Sequence, residues 1–128
     1  MNAPHHPDAY ALVCDDSALV RLTIARRLRA LGLRVVERAS ASDAMAPPTD
    51  PRPPACALLD VDLDSADGAD GVDVARALRL RHPQLPVAFF TGTSTPRAEA
   101  RAAALGPVFH KPDDLEKAVA WAVAHAQP

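Results

Sequence analysis

Short apolar runs alternate along the chain with stretches whose apolar residues recur at helical spacing. The first run, Tyr10 to Cys14, leads into a helix from near Ser17 to Leu31. Its stripe is Val20, Ile24, Leu28 and Leu31, and Gly32 is placed to cap it. A second strand spans Leu33 to Glu37, and a short helix begins near Ser40. Pro47, Pro48, Pro51, Pro53 and Pro54 forbid its extension, so Pro47 to Pro54 reads as extended loop. The third strand is Ala55 to Asp60, followed by a polar loop with Gly68 and Gly71 and a helix from Val72 to Arg81. His82-Pro83 stops that helix. The fourth strand is Pro86 to Thr91. Thr95 caps the next helix, with Pro96 at its first position and Gly106 after its end at Leu105. The fifth strand, Pro107 to His110, precedes a last helix through about Ala126, with Asp113 and Glu116 spaced as a capping box.

This alternation predicts an α/β fold, a parallel sheet covered by helices on both faces. Four of the runs lead directly to polar residues. Asp15 and Asp16 follow the first, Asp60 closes the third, Thr91 closes the fourth and Lys111 follows the fifth. Parallel strands end on one side, so these groups converge on the edge where open α/β sheets bind ligands. Three carboxylates, a hydroxyl and an ammonium suit a divalent cation and a phosphoryl group.

The 128 residues make one domain, core about 10–126, and 48% apolar content is enough to fold it. A net charge of −2 gives no reason to expect nucleic-acid binding. Arg21, Arg26, Arg27 and Arg29 on the first helix read as a solvated face. Cys14 and Cys56 fall inside strands and read as reduced core residues of a cytoplasmic protein. No apolar run is long enough to span a membrane, and Met1 to Pro7 has no secretory pattern. His110 alternates with Lys111 along its strand and reads as packing or surface. On the last helix, Leu115, Val119, Ala122 and Ala126 form the core stripe. Trp121 lies roughly 140° from its centre at the helical angle per residue, a candidate partner contact.

The Asp15-Asp16 pair, Asp60 after Leu58-Leu59, Thr91 in Phe-Phe-Thr-Gly and Lys111-Pro112 occur in order and at strand ends. In this the chain resembles the receiver domain of bacterial two-component response regulators, from roughly Tyr10 to Ala126. The resemblance implies a flavodoxin-like, doubly wound five-stranded sheet of order 2-1-3-4-5 and a stand-alone, chemotaxis-regulator-like domain. It implies a phosphoryl group accepted from a histidine kinase or histidine phosphotransfer protein, and signalling through a downstream protein target. Such a protein phosphorylates and dephosphorylates itself and is not a turnover enzyme.

The chemistry agrees. Mg²⁺ (or Mn²⁺) prefers oxygen ligands, which Asp15, Asp16 and Asp60 offer. Asp60 is the nucleophile for an aspartyl phosphate, Lys111 a point charge for its oxygens and Thr91 a donor to them. By resemblance the backbone carbonyl of Asp62 is a further metal ligand and the Lys111-Pro112 peptide is cis. The chain departs from the family where Asp64 replaces a usual proline. Its loop is about three residues longer before Gly71, adding Asp62, Asp64, Asp67 and Asp70 near the site. Val108 stands where an aromatic switch residue is common, so no aromatic flip at that position is expected.

Two rival readings remain. Asp60-Val61-Asp62 resembles the nucleophile motif of haloacid-dehalogenase-like phosphatases, although that motif normally opens a chain. A receiver-like module could also bind partners without phosphorylation. A calcium loop from Asp60 is excluded, because Ser65 and Gly71 occupy its glycine and glutamate positions.

Overall fold

A computed structural model of the chain describes residues 9–47, 52–63, 68–92 and 94–126. The five apolar runs are strands β1 (Tyr10–Cys14), β2 (Val35–Arg38), β3 (Pro54–Leu59), β4 (Val87–Thr91) and β5 (Val108–His110). The helices are α1 (Ala18–Ala30), α2 (Ala41–Met45), α3 (Gly71–Arg81), α4 (Pro96–Ala103) and α5 (Leu115–Ala126). All strand pairs are parallel, in the order β2-β1-β3-β4-β5. The predicted flavodoxin-like receiver fold is therefore the observed one.

The strand period of two sorts the core into two layers. Leu12, Cys14, Ala57, Leu59, Val87 and Phe89 face one side with residues of α2, α3 and α4. Ala11, Val13, Cys56, Leu58, Ala88 and Phe90 face the other, under Ile24 and Leu28 of α1 and Ala118, Val119 and Ala122 of α5. With both faces covered, the central strands β1 and β4 are buried at every position.

The helix boundaries follow their caps. The Ser17 hydroxyl accepts from the Val20 amide, Ser40 from Asp43 and Thr95 from Ala98. At the end of α1, Gly32 has φ 86, its amide reaches the Arg29 carbonyl, and the Leu33 amide reaches Leu28. This is a Schellman closure, which needs glycine at that left-handed position.

Two local expectations change, and one cap arises that the pattern did not announce. Leu31 leaves the core stripe; it is the C-cap residue of α1 and more than half exposed. The expected Asp113–Glu116 box is not formed, because Glu116 instead forks with Arg27 of α1 at 2.8 Å. A capping box does form at α3, where Asp70 accepts from the Asp73 amide and Asp73 from the Asp70 amide.

Gly71 is the contact that sets α3 against the sheet. A Cβ there would lie 2.0 Å from the Asp60 carbonyl oxygen and 3.0 Å from Val61 Cα. Backbone atoms cannot yield as a side chain would. Gly71→Ala is therefore expected to lose about 3 kcal/mol in a denaturant titration, the upper range for an overpacked core site. An unchanged midpoint would refute the close approach.

Candidate functional site

The C-terminal edge of the sheet collects the predicted side chains. Asp15 leaves β1, Asp60 leaves β3, Thr91 ends β4 and Lys111 follows β5. Asp15, Asp60 and Thr91 are buried. Asp16 is exposed at the rim. Ligand oxygens of Asp15, Asp16 and Asp60 lie within 4.8 Å of one another.

Each buried carboxylate is held at both oxygens. Asp15 Oδ1 accepts from the Ser17 amide at 2.8 Å, and Oδ2 from Lys111 Nζ at 2.8 Å. Asp60 Oδ1 accepts from the Thr91 hydroxyl at 3.1 Å and the Asp62 amide at 3.1 Å. Asp60 Oδ2 accepts from Lys111 Nζ at 3.0 Å. One ammonium thus bridges two carboxylates, with the Phe90 ring 5.8 Å from its nitrogen. Among the described residues, no buried side-chain nitrogen or oxygen lacks a partner.

Burial, and then the neighbouring Asp15 charge, push the Asp60 carboxyl above its ordinary range, against the pull of Lys111 and the Asp62 amide. Burial also works against the Lys111 charge, but its bonds to Asp15 and Asp60 outweigh burial and raise its pKa. Burial drives the thiols of Cys14 and Cys56 up to about 12, so neither is a nucleophile at neutral pH.

The donor set fits a hard cation. All the candidate ligand atoms are oxygens, and their spread is close to the span across an octahedral Mg²⁺ shell, roughly 4 Å. Beside it lies an acidic cleft of about 340 Å³ lined by Asp16, Val61, Asp62, Leu63, Gly68, Ala69 and Asp70. Asp62 is exposed, and Asp70 is the N-cap of α3 rather than a loose loop charge. The expectations on Asp64, Ser65 and Asp67 lie outside the described residues. The Lys111-Pro112 peptide is cis, as the resemblance implied.

Around the site, His110 meets the surface expectation, while Trp121 and Arg21 depart from theirs. Val108 packs with the α3–α4 layer and Phe109 with the α5 layer. His110 is exposed and contacts Glu99 of α4 and Asp114. Trp121 is half-buried: it packs on the α5 layer and stacks on His125, ring centroids 4.5 Å apart. The outward aromatic expected from helical spacing is thus partly covered. Arg21, expected on a solvated face, has a side chain only 18% exposed that bonds into the site loop. The sequence carried no signal for this, because a basic helix residue looks the same whether it faces water or folds back.

The response regulator receiver domain model matches residues 11–120, and the chain belongs to that family. The fold aligns with the receiver domain of NtrX from Brucella abortus at TM-score 0.76 and 25% identity, over 91% of this chain and 97% of that one. A response regulator receiver protein from Sinorhizobium medicae aligns at 0.75 and 20% identity, over 94% and 98% of the two chains. Chemotaxis protein CheY4 of Vibrio cholerae aligns at 0.74 and 20% identity, over 93% and 98%. No curated protein matches the sequence. Membership of the receiver family sets aside the phosphatase reading. Among the described residues, no helix is long and apolar enough to cross a membrane.

Proposed function

We propose that the chain is a response-regulator receiver domain that accepts a phosphoryl group on Asp60 and signals by phosphorylation-dependent binding. The observation that carries this reading is the buried Asp60 carboxylate held between Thr91 and Lys111 and bordered by Asp15 and Asp16. A phosphohistidine of a histidine kinase or phosphotransfer protein is the donor. An Asp60 oxygen bonds to phosphorus as the P–N bond breaks, and its electron pair returns to the imidazole nitrogen.

Mg²⁺ or Mn²⁺ would be held by Asp15, Asp16, Asp60 and the Asp62 carbonyl, and would supply the positive charge that lets two anions meet. Lys111 is already within bonding distance of Asp60 and would carry a phosphoryl oxygen on the same ammonium. The Thr91 hydroxyl would turn from Asp60 Oδ1 to a second oxygen. Since both groups lead into the segments around α4 and β5, their movement gives the two states different contacts there.

Incubation with Mg²⁺ and acetyl phosphate, followed by intact mass measurement, tests the reading. One acid-stable, alkali-labile phosphoryl group, absent with chelator, is expected. No label under any donor leaves a phosphorylation-independent binding module. A downstream partner seated on the outer α5 flank would cover Trp121. Trp121→Ala is expected to weaken that complex by ~1–3 kcal/mol in a titration, and equal affinity would remove Trp121 from the interface.

A further inference from the structure

Arg21 closes the first turn of α1, and one guanidinium nitrogen donates to the Asp15 backbone carbonyl at 2.8 Å. That carbonyl belongs to the peptide joining Asp15 to Asp16. On its other side, the Asp15 amide is held by the sheet, donating to Arg38 of β2 at 3.1 Å. β2 ends at Arg38, so no further strand amide is there to pair with the Asp15 carbonyl. Arg21 takes the place of that missing amide.

The guanidinium is itself held. Its Nε stands 3.4 Å from Glu37 Oε1. The other Glu37 oxygen is held by Arg29 at 2.9 Å, which also donates to the Val35 carbonyl. Arg21 and Glu37 are 18% and 22% exposed, so the pair is partly shielded from water. The planar fork reaches the carbonyl and Glu37 from two separate nitrogens, a spacing that a compact lysine ammonium does not reproduce. Glu37 has a second effect, since it keeps the Arg21 charge occupied away from the Asp15 and Asp16 carboxylates.

We propose that Arg21 is a positioning residue for the divalent cation, fixing the peptide plane between Asp15 and Asp16 while Glu37 fixes Arg21. Turning that plane would swing the Asp15 and Asp16 carboxylates relative to Asp60. The inference rests on the proposed metal role of those carboxylates. It also makes a prediction opposite in sign to simple electrostatics. A guanidinium acting only through its charge would repel the cation, and its removal would tighten binding. A positioning guanidinium makes binding weaker when removed.

Calorimetric titration of the metal-free chain with Mg²⁺ reads the effect, with Mn²⁺ broadening of the Asp15, Asp16 and Asp60 amide signals to locate the ion. Arg21→Ala is expected to weaken Mg²⁺ binding by roughly 10- to 100-fold, the usual cost of losing a group that orients metal ligands. Arg21→Lys should fall between Arg21→Ala and wild type. Glu37→Gln should weaken binding less than Arg21→Ala, since the carbonyl bond survives without its anchor. A folded Arg21→Ala with unchanged or tighter affinity overturns the proposal, even with a lowered melting temperature. If Arg21→Ala does not fold, wild-type affinity in Arg21→Lys and Glu37→Gln overturns it equally. A wild-type chain that takes up no Mg²⁺ refutes the metal reading itself and this inference with it.

Discussion

Asp60→Asn is expected to gain no phosphoryl group from acetyl phosphate and to melt higher than wild type in metal-free buffer at neutral pH. The first outcome follows from chemistry, because an amide oxygen is not a carboxylate nucleophile. The second follows from burial. The Asp60 carboxyl titrates above its ordinary range, and that raised value already includes the attraction of Lys111. A raised acid favours the folded state fully below the unfolded pKa, and the advantage is lost as pH rises through the folded pKa. At neutral pH the ionised carboxylate therefore costs stability. Asparagine keeps an acceptor for the Thr91 hydroxyl and the Asp62 amide, and Lys111 keeps Asp15. A gain of about 1 kcal/mol would raise the melting temperature by roughly 3–5 °C in a domain this size. The gain should shrink as pH is lowered and wild-type Asp60 takes up its proton. Wild-type labelling in the variant would displace Asp60 as the acceptor. A lower melting temperature at neutral pH would mean that the Lys111 pair outweighs burial.

The sheet was legible because its signals are local and repeated. Each strand is a short apolar run next to a turn signal, and a parallel sheet covered on both faces leaves little to decide beyond order. The convergence of Asp15, Asp16, Asp60, Thr91 and Lys111 was legible for the same reason, since strand ends share an edge. What each polar side chain bonds to was not legible. Asp70 could have been one more loop acid, and only the fold shows it exchanging bonds with Asp73 at the start of α3. Glu116 had the spacing of a cap but found Arg27 on another helix, 89 residues away in the chain. Helical spacing put Trp121 on the outer face of α5 but could not show its ring lying back over His125. Such partners are set by tertiary packing, which a periodic pattern does not encode.

Lys111→Met is expected to be the most destabilising change at the site in metal-free buffer, and the one that Mg²⁺ most nearly repairs. The Lys111 ammonium serves Asp15 at 2.8 Å and Asp60 at 3.0 Å, and it is the cation bonded to both carboxylates among the described residues. Removing it leaves two neighbouring carboxylates buried with their charges uncompensated. Breaking a buried pair in this way costs about 3–5 kcal/mol. Lys111 retains 19% side-chain exposure, so water recovers part of that and roughly 2–3 kcal/mol should remain. The pH dependence has a definite sign. The raised Lys111 pKa means its contribution is whole at neutral pH and is lost only as pH rises above the lysine range. In the variant the deficit should instead narrow on acidification, as one carboxyl of the pair is protonated. Methionine keeps most of the aliphatic stem near Phe90, so lost packing contributes little. A divalent cation can take over the missing charge, so Mg²⁺ should raise the melting temperature more in Lys111→Met than in wild type. Thermal melts at neutral and mildly acidic pH, with and without Mg²⁺, read all three effects. A variant as stable as wild type without metal, or one that Mg²⁺ stabilises no more than wild type, would show that the ammonium is not what holds the two carboxylates together.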